Sequence, residues 1–237
     1  MTVHQPHTTQ SPLSLVQAIK LLAILLVLTI AFFGIVVVLL LNVPAVRSHA
    51  FAVLAWTVPV LSVVLVTTLY YSFRQHALRW NDIGLRSPSL RLFHLIWQIP
   101  VMLVALVVTQ IIVFLIFQVE PTSNNRINNL LVNVDIISAG ALFIGVSFLV
   151  PFWEEVVFRG LIYGGLRRKY RVMASLLLAA VIFACAHAVP ILLPYMIIVG
   201  LSLGLIYEFH RTLWASIIAH TAINTLVAVP LLLTMLT

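Results

Sequence analysis

The chain has 237 residues, 62% hydrophobic and 8% charged, where a soluble domain carries about 25% charged residues. With a mean hydropathy of +1.15, this composition excludes a globular domain on a single anchor and points to a polytopic membrane protein. The formal net charge of +7 invites nucleic acid as a partner, but the placement of the charges, below, argues against it. The single cysteine, Cys185, excludes an intramolecular disulfide.

Residues 1–20 read as a polar N-terminal segment and 21–237 as a single transmembrane domain. Hydropathy predicts seven spans, at about 21–43, 51–73, 93–118, 143–166, 172–189, 193–209 and 212–236. Most approach the ~20 residues needed to cross ~30 Å of hydrocarbon; the fifth and sixth are short. They are expected to be helices, because lipid offers the backbone no hydrogen bonds. The first apolar run is long enough to span and others follow it, so it is not read as a signal peptide. The expected fold is an all-α polytopic transmembrane helix bundle with a catalytic core in its last four helices. The loop 74–92, "RQHALRWNDIGLRSPSLRL", reads as an amphipathic segment lying on the membrane surface.

Lys20, Arg74, Arg79, Arg86, Arg91, Arg167, Arg168, Lys169, Arg171 and Arg211 fall at alternate loops, with Arg47 and Arg126 on the other side. This bias predicts a cytoplasmic N-terminus and an external C-terminus. The net charge is then a topology signal with affinity for anionic lipid headgroups in the bilayer, and no nucleic-acid partner is expected. No Asn-x-Ser/Thr sequon and no C-terminal retention signal occur, in keeping with a bacterial plasma membrane.

Ionisable residues inside spans are rare, each costing about 2.5–3.5 kcal/mol at a helix centre on insertion scales. Here they form three groups. Glu154, Glu155 and Arg159 lie in "PFWEEVVFRG"; "FACAH" places Phe183 and His187 one turn apart; "HTAIN" does the same for His220 and Asn224. Residues at i and i+4 share a helix face. Measured from the basic cluster 167–171 or from Thr212, Glu154, His187 and His220 lie at depths of roughly 20, 22 and 12 Å. A tilt of about 20° lets them meet, provided that the fourth helix continues beyond Arg159.

Glu155 and Arg159 have the favoured order for an i,i+4 ion pair, a structural role for charges in lipid. Glu154 has no local partner, and a desolvated carboxylate suits general-base work. Glu154, His187 and His220 also make a ligand set that zinc accepts with water in an open position, although the spacing is not HExxH. Asn224 can donate to an oxyanion or orient His220. Cys185 reads as inert packing. Glu208, His210 and Arg211 read as an exposed turn, and Asp82, Glu120 and Asp135 as loop residues.

The ordered set EExxxR ("EEVVFR"), FxxxH ("FACAH") and HxxxN ("HTAIN") resembles the CPBP family over about residues 130–228. That family comprises the type II CAAX prenyl endopeptidases and the bacteriocin-processing or Abi-type membrane proteins. The resemblance implies an intramembrane endopeptidase, traditionally classed as a metalloprotease, acting on a membrane-presented peptide or protein tail. In that reading Glu154 activates water with help from His187, and His220 and Asn224 bind the developing oxyanion. Glu155 and Arg159 support the site, with Phe183 packed beside it. A divalent metal such as zinc on Glu154, His187 and His220 is left open. Two rivals remain: a non-catalytic scaffold or immunity-type protein of the same fold, and a proton-coupled transporter. No internal repeat favours the transporter.

Overall fold

The computed structural model describes residues 13–118 and 135–236. Most of the polar lead, Glu120, Arg126 and the first residues of the family-like core therefore lie outside the described residues. Every regular element among those described is helical. In chain order they are α1 (Leu15–Asn42), a single turn at Pro44–Arg47, and α2 (Ala50–Gln75). A 3-10 turn at Leu90–His94 leads into α3 (Leu95–Phe117), and α4 covers Ile136–Leu166. Then come α5 (Val172–Ala186), a 3-10 turn at Pro190–Leu192, α6 (Leu193–His210) and α7 (Leu213–Leu236).

Six of these helices are long and apolar enough to cross a membrane, so the chain is a multi-pass helical membrane protein. The seven expected spans coincide with seven helices, but α5 has 15 residues, about 22 Å at 1.5 Å per residue, short of a full crossing. Hydroxyls within the spans bond back to the carbonyl four residues earlier, as Thr57 does to Val53 and Thr109 to Ala105. That is the partner a buried hydroxyl finds when no water is present.

Helix α4 begins seven residues before the expected start because Asp135 caps it. The Ser138 N–H donates to the Asp135 carboxylate at 2.8 Å. Hydrogen bonds from the Ser138 side chain and backbone hold the Asp135 carboxyl below its usual range. The helix then runs through to Leu166 with two π-helical stretches, Gly145–Leu149 and Val156–Tyr163. The first abuts Pro151, which has no N–H to give to the carbonyl of residue 147 and crowds it.

The chain forms two compact units. One comprises the described parts of 1–18, 73–119 and 154–220; the other comprises those of 19–72, 120–153 and 221–237. In the first, α6 packs closely on α5. A Cβ on Gly200 would stand 2.9 Å from the Ala180 Cα, and one on Gly204 2.8 Å from a Leu176 methyl. This is the small-xxx-small contact that lets membrane helices approach. In the second, α2 meets α4 where a Cβ on Gly145 would stand 3.0 Å from Pro59 Cδ.

The 74–92 loop departs from the amphipathic surface segment that its charges suggested. Between the end of α2 at Gln75 and the 3-10 turn at Leu90 it has no helix, and the tip is buried, with Ile83 2% exposed. A local ladder folds the tip: Gly84 N–H to Asn81 O, Leu85 N–H to Trp80 O, and Arg79 N–H to the Asp82 carboxylate. With part of its polar backbone paired within the loop and the Gly84 and Arg86 carbonyls paired with Leu213 and Thr212, the apolar tip can enter the unit.

Candidate active site

Glu154, Glu155, Arg159, Phe183, His187 and His220 all belong to the first unit. Glu154 and Glu155 sit at the end of an α-helical stretch of α4, and Arg159 lies in the π-helical stretch that follows. Glu155 is completely buried. Its Oε1 accepts from Arg159 Nη1 at 2.7 Å and from His220 Nδ1 at 2.9 Å. An ionised carboxylate only accepts, so this imidazole edge carries the proton. Arg159 is also buried; it donates through Nη2 to the Gly200 carbonyl at 3.2 Å and lies over the Phe183 ring, 4.8 Å from its centroid. Its charge is thus met by a carboxylate, a carbonyl and an aromatic face.

Phe183 is the hub of the cluster. Its centroid is 4.7 Å from that of His187, 6.1 Å from that of His220 and 4.9 Å from that of Phe158. His187 follows the last residue of α5, and its Nδ1 donates to the Phe183 carbonyl at 2.8 Å. Both histidines therefore commit Nδ1 as donor and keep Nε2 as the reactive edge. His220 Nε2 stands 3.8 Å from Glu154 Oε2. That is too long for a direct hydrogen bond and short enough for one water to touch both. Glu154 is 7% exposed. Among the described residues it forms no ion pair with lysine or arginine.

Asn224, one turn beyond His220 on α7, lies in the second unit. Its Nδ2 donates to the Val146 carbonyl at 2.9 Å. Glu155 orients the His220 imidazole through Nδ1. Val146 lies in the π-helical stretch Gly145–Leu149, where the wider turn alters the i→i−4 ladder. Among the described residues no group of three or more His, Cys, Asp and Glu is arranged to hold a metal. Each imidazole gives its Nδ1–H to an oxygen and keeps Nε2 free, an orientation that leaves the nitrogens themselves able to bind a metal.

Two further readings are corrected. Cys185 is exposed rather than packed, because it continues the exposed stripe of Leu178, Val181 and Ile182 on α5. Glu208, His210 and Arg211 are more than an exposed turn. Glu208 accepts from the Tyr163 hydroxyl at 2.6 Å and pairs with Arg211 at 2.7 Å. His210 is buried, with Nε2 2.8 Å from Gln98 Oε1. The Arg–Glu pairing was legible as i,i+3; its tertiary partners were not.

Residues 137–226 match the family model described as "Rce1-like: Type II CAAX prenyl endopeptidase Rce1-like". A Bacillus subtilis (strain 168) protein named "Putative membrane peptidase YdiL" is 34% identical over 97 residues. That alignment covers 40% of this chain and 40% of the relative's own length. No solved structure matches. The matched stretch carries Glu154, Glu155, Arg159, Phe183, His187, His220 and Asn224, so over these residues the chain is similar to the type II CAAX prenyl endopeptidase family that the three motifs resembled.

Proposed function

We propose that the chain is an intramembrane endopeptidase that hydrolyses a peptide bond in a membrane-presented peptide or protein tail. The observation that carries this reading is the order Glu155, His220, Glu154: a buried, ion-paired carboxylate fixes one edge of an imidazole whose other edge faces a second carboxylate 3.8 Å away. A structural ion pair needs only Glu155 and Arg159. The second acid and the second histidine need another reason to be in lipid.

In the reaction, water sits against Glu154, with the His187 Nε2 lone pair accepting one of its hydrogens. Glu154 takes the other proton as the water oxygen bonds to the scissile carbonyl carbon. The carbonyl electron pair moves onto its oxygen, where His220 is the assigned donor and the family resemblance implies Asn224 as a second. For His220 this role requires a proton on Nε2, and the Glu155 carboxylate on Nδ1 stabilises the resulting imidazolium. The Asn224 amide has one hydrogen on the Val146 carbonyl and another to give. Glu154 then passes its proton to the amide nitrogen, the C–N bond breaks, and the carbonyl re-forms. No step runs through a metal.

The basic loops place the N-terminus in the cytoplasm and the C-terminus outside in this reading, with a bacterial plasma membrane as the setting. The test is cleavage of a library of membrane-inserted peptides by the purified chain in liposomes, read by mass spectrometry. The reading expects a discrete product that the Glu154→Gln variant does not form. A wild type that cleaves nothing across the library overturns it.

A further inference from the structure

We infer that the buried tip of the 79–86 loop, Ile83 and Gly84, is a positioning element that sets the separation of the two helices carrying Glu154, Glu155 and His220. The inference rests on the proposed peptidase function for its catalytic meaning, but its geometry stands apart from it. These residues lie outside the stretch that matches the family.

The tip touches three helices of the first unit. Against α4, the Ile83 carbonyl lies where a Cβ on Gly160 would approach to 3.1 Å, and the Ile83 Cβ would stand 3.7 Å from that atom. A side chain at Gly160 would force the Ile83 carbonyl to give by a few tenths of an ångström, and Gly160 directly follows Arg159. Against α7, the Gly84 carbonyl accepts the Leu213 N–H at 2.8 Å, and the Arg86 carbonyl accepts the Thr212 hydroxyl at 2.7 Å. The Leu213 N–H is one of the donors that a helix start leaves without an internal partner. Leu213 is seven residues before His220, two turns along the same face. Against α6, Gly84 meets Tyr207, whose hydroxyl occupies the place of any Cβ there. With φ at +103°, glycine is the residue this position accepts.

The loop therefore caps the first turn of α7 while its tip bears on α4 one residue past Arg159. Both contacts involve backbone atoms, which cannot swing away as a side-chain tip would. The loop is braced internally by the Asp82 and Asn81 hydrogen bonds. The Ile83 side chain is buried behind these backbone contacts, 2% exposed, so truncating it leaves a cavity into which the tip can shift and lets α4 and α7 move relative to each other. The distance that responds is the 2.9 Å bond from His220 Nδ1 to Glu155 and, with it, the 3.8 Å gap to Glu154.

The test uses the full chain in detergent micelles, with histidine imidazoles labelled by nitrogen-15 and the His220 signal assigned by its loss in His220→Gln. In the wild type the His220 Nδ1 is expected to carry a proton. In Ile83→Ala the His220 resonances should move, while Ile83→Leu keeps the wild-type signal. Should Ile83→Ala fail to accumulate, Ile83→Val carries the same measurement with a smaller loss. On a substrate that the wild type cleaves, kcat should fall about tenfold to a hundredfold at unchanged KM, as for a misplacement of about 1 Å. A folded Ile83→Ala protein with wild-type His220 signals overturns the inference, as does one with wild-type kcat. If the wild type cleaves nothing, the peptidase reading fails while the imidazole signals still decide whether the loop sets the helix separation.

Discussion

Replacing Glu155 with Gln separates the two adjacent glutamates most sharply. Glu155 is fully buried and holds two partners on one oxygen, Arg159 at 2.7 Å and His220 at 2.9 Å. Gln keeps the volume and one acceptor oxygen but removes the charge, leaving the Arg159 guanidinium without a counter-charge beside the Gly200 carbonyl and the Phe183 face. Breaking a buried pair from one side costs about 3–5 kcal/mol in soluble proteins. At roughly 2–4 °C per kcal/mol for a chain of this size, the melting temperature should fall by about 6–20 °C. The double variant Glu155→Leu with Arg159→Met removes both charges, which is often neutral or stabilising, and should melt close to the wild type. It should nevertheless remain inactive, because the His220 Nδ1 has lost its acceptor. Thermal melts in detergent and specific activity per folded molecule measure the two effects separately. A Glu155→Gln protein melting within about 2 °C of the wild type would refute the ion-pair argument. A double variant with wild-type cleavage would refute the anchoring of His220.

Three other outcomes are expected. Gly200→Ala puts a methyl 2.9 Å from the Ala180 Cα, an overpacking that costs about 1–3 kcal/mol and should lower the melting temperature measurably; an unchanged melt would contradict the close α5–α6 contact. In a Cys185→Ala background, a cysteine at position 80 should react with an impermeant thiol reagent only from the cytoplasmic side, and labelling from outside intact cells would reverse the proposed orientation. Dialysis against a chelator should leave cleavage intact if Glu154 and the two imidazoles suffice to activate the water; loss of activity restored by zinc would put a metal into the mechanism.

The helices were legible because hydropathy over about 20 residues is a strong signal in a chain with so few charges. The meeting of Glu154 with His220 was legible too, since ionisable groups in lipid must find one another. Other features lie beyond single-helix periodicity. The π-helical stretches shift the register that an i,i+4 count assumes, and Asn224 bonds within one of them. The Glu155–His220 bond joins residues 65 apart, so Glu155 reads in sequence only as the partner of Arg159. Ile83 sits in a loop whose arginines masked its burial. Asp135 with Ser138 three residues later was a cap signal that could have been found, and so was the Gly200–Gly204 spacing.

The most direct test of the central claim is the cleavage rate of Glu154→Gln beside the wild type, on one membrane peptide in liposomes, with folded protein measured by thermal melt. Glu154 has no lysine or arginine partner among the described residues, so the substitution should leave accumulation and melting as in the wild type. Removing the base should abolish detectable product, a loss of about 10²–10⁴-fold if base catalysis alone is removed. A stable Glu154→Gln protein that cleaves at the wild-type rate would contradict the account.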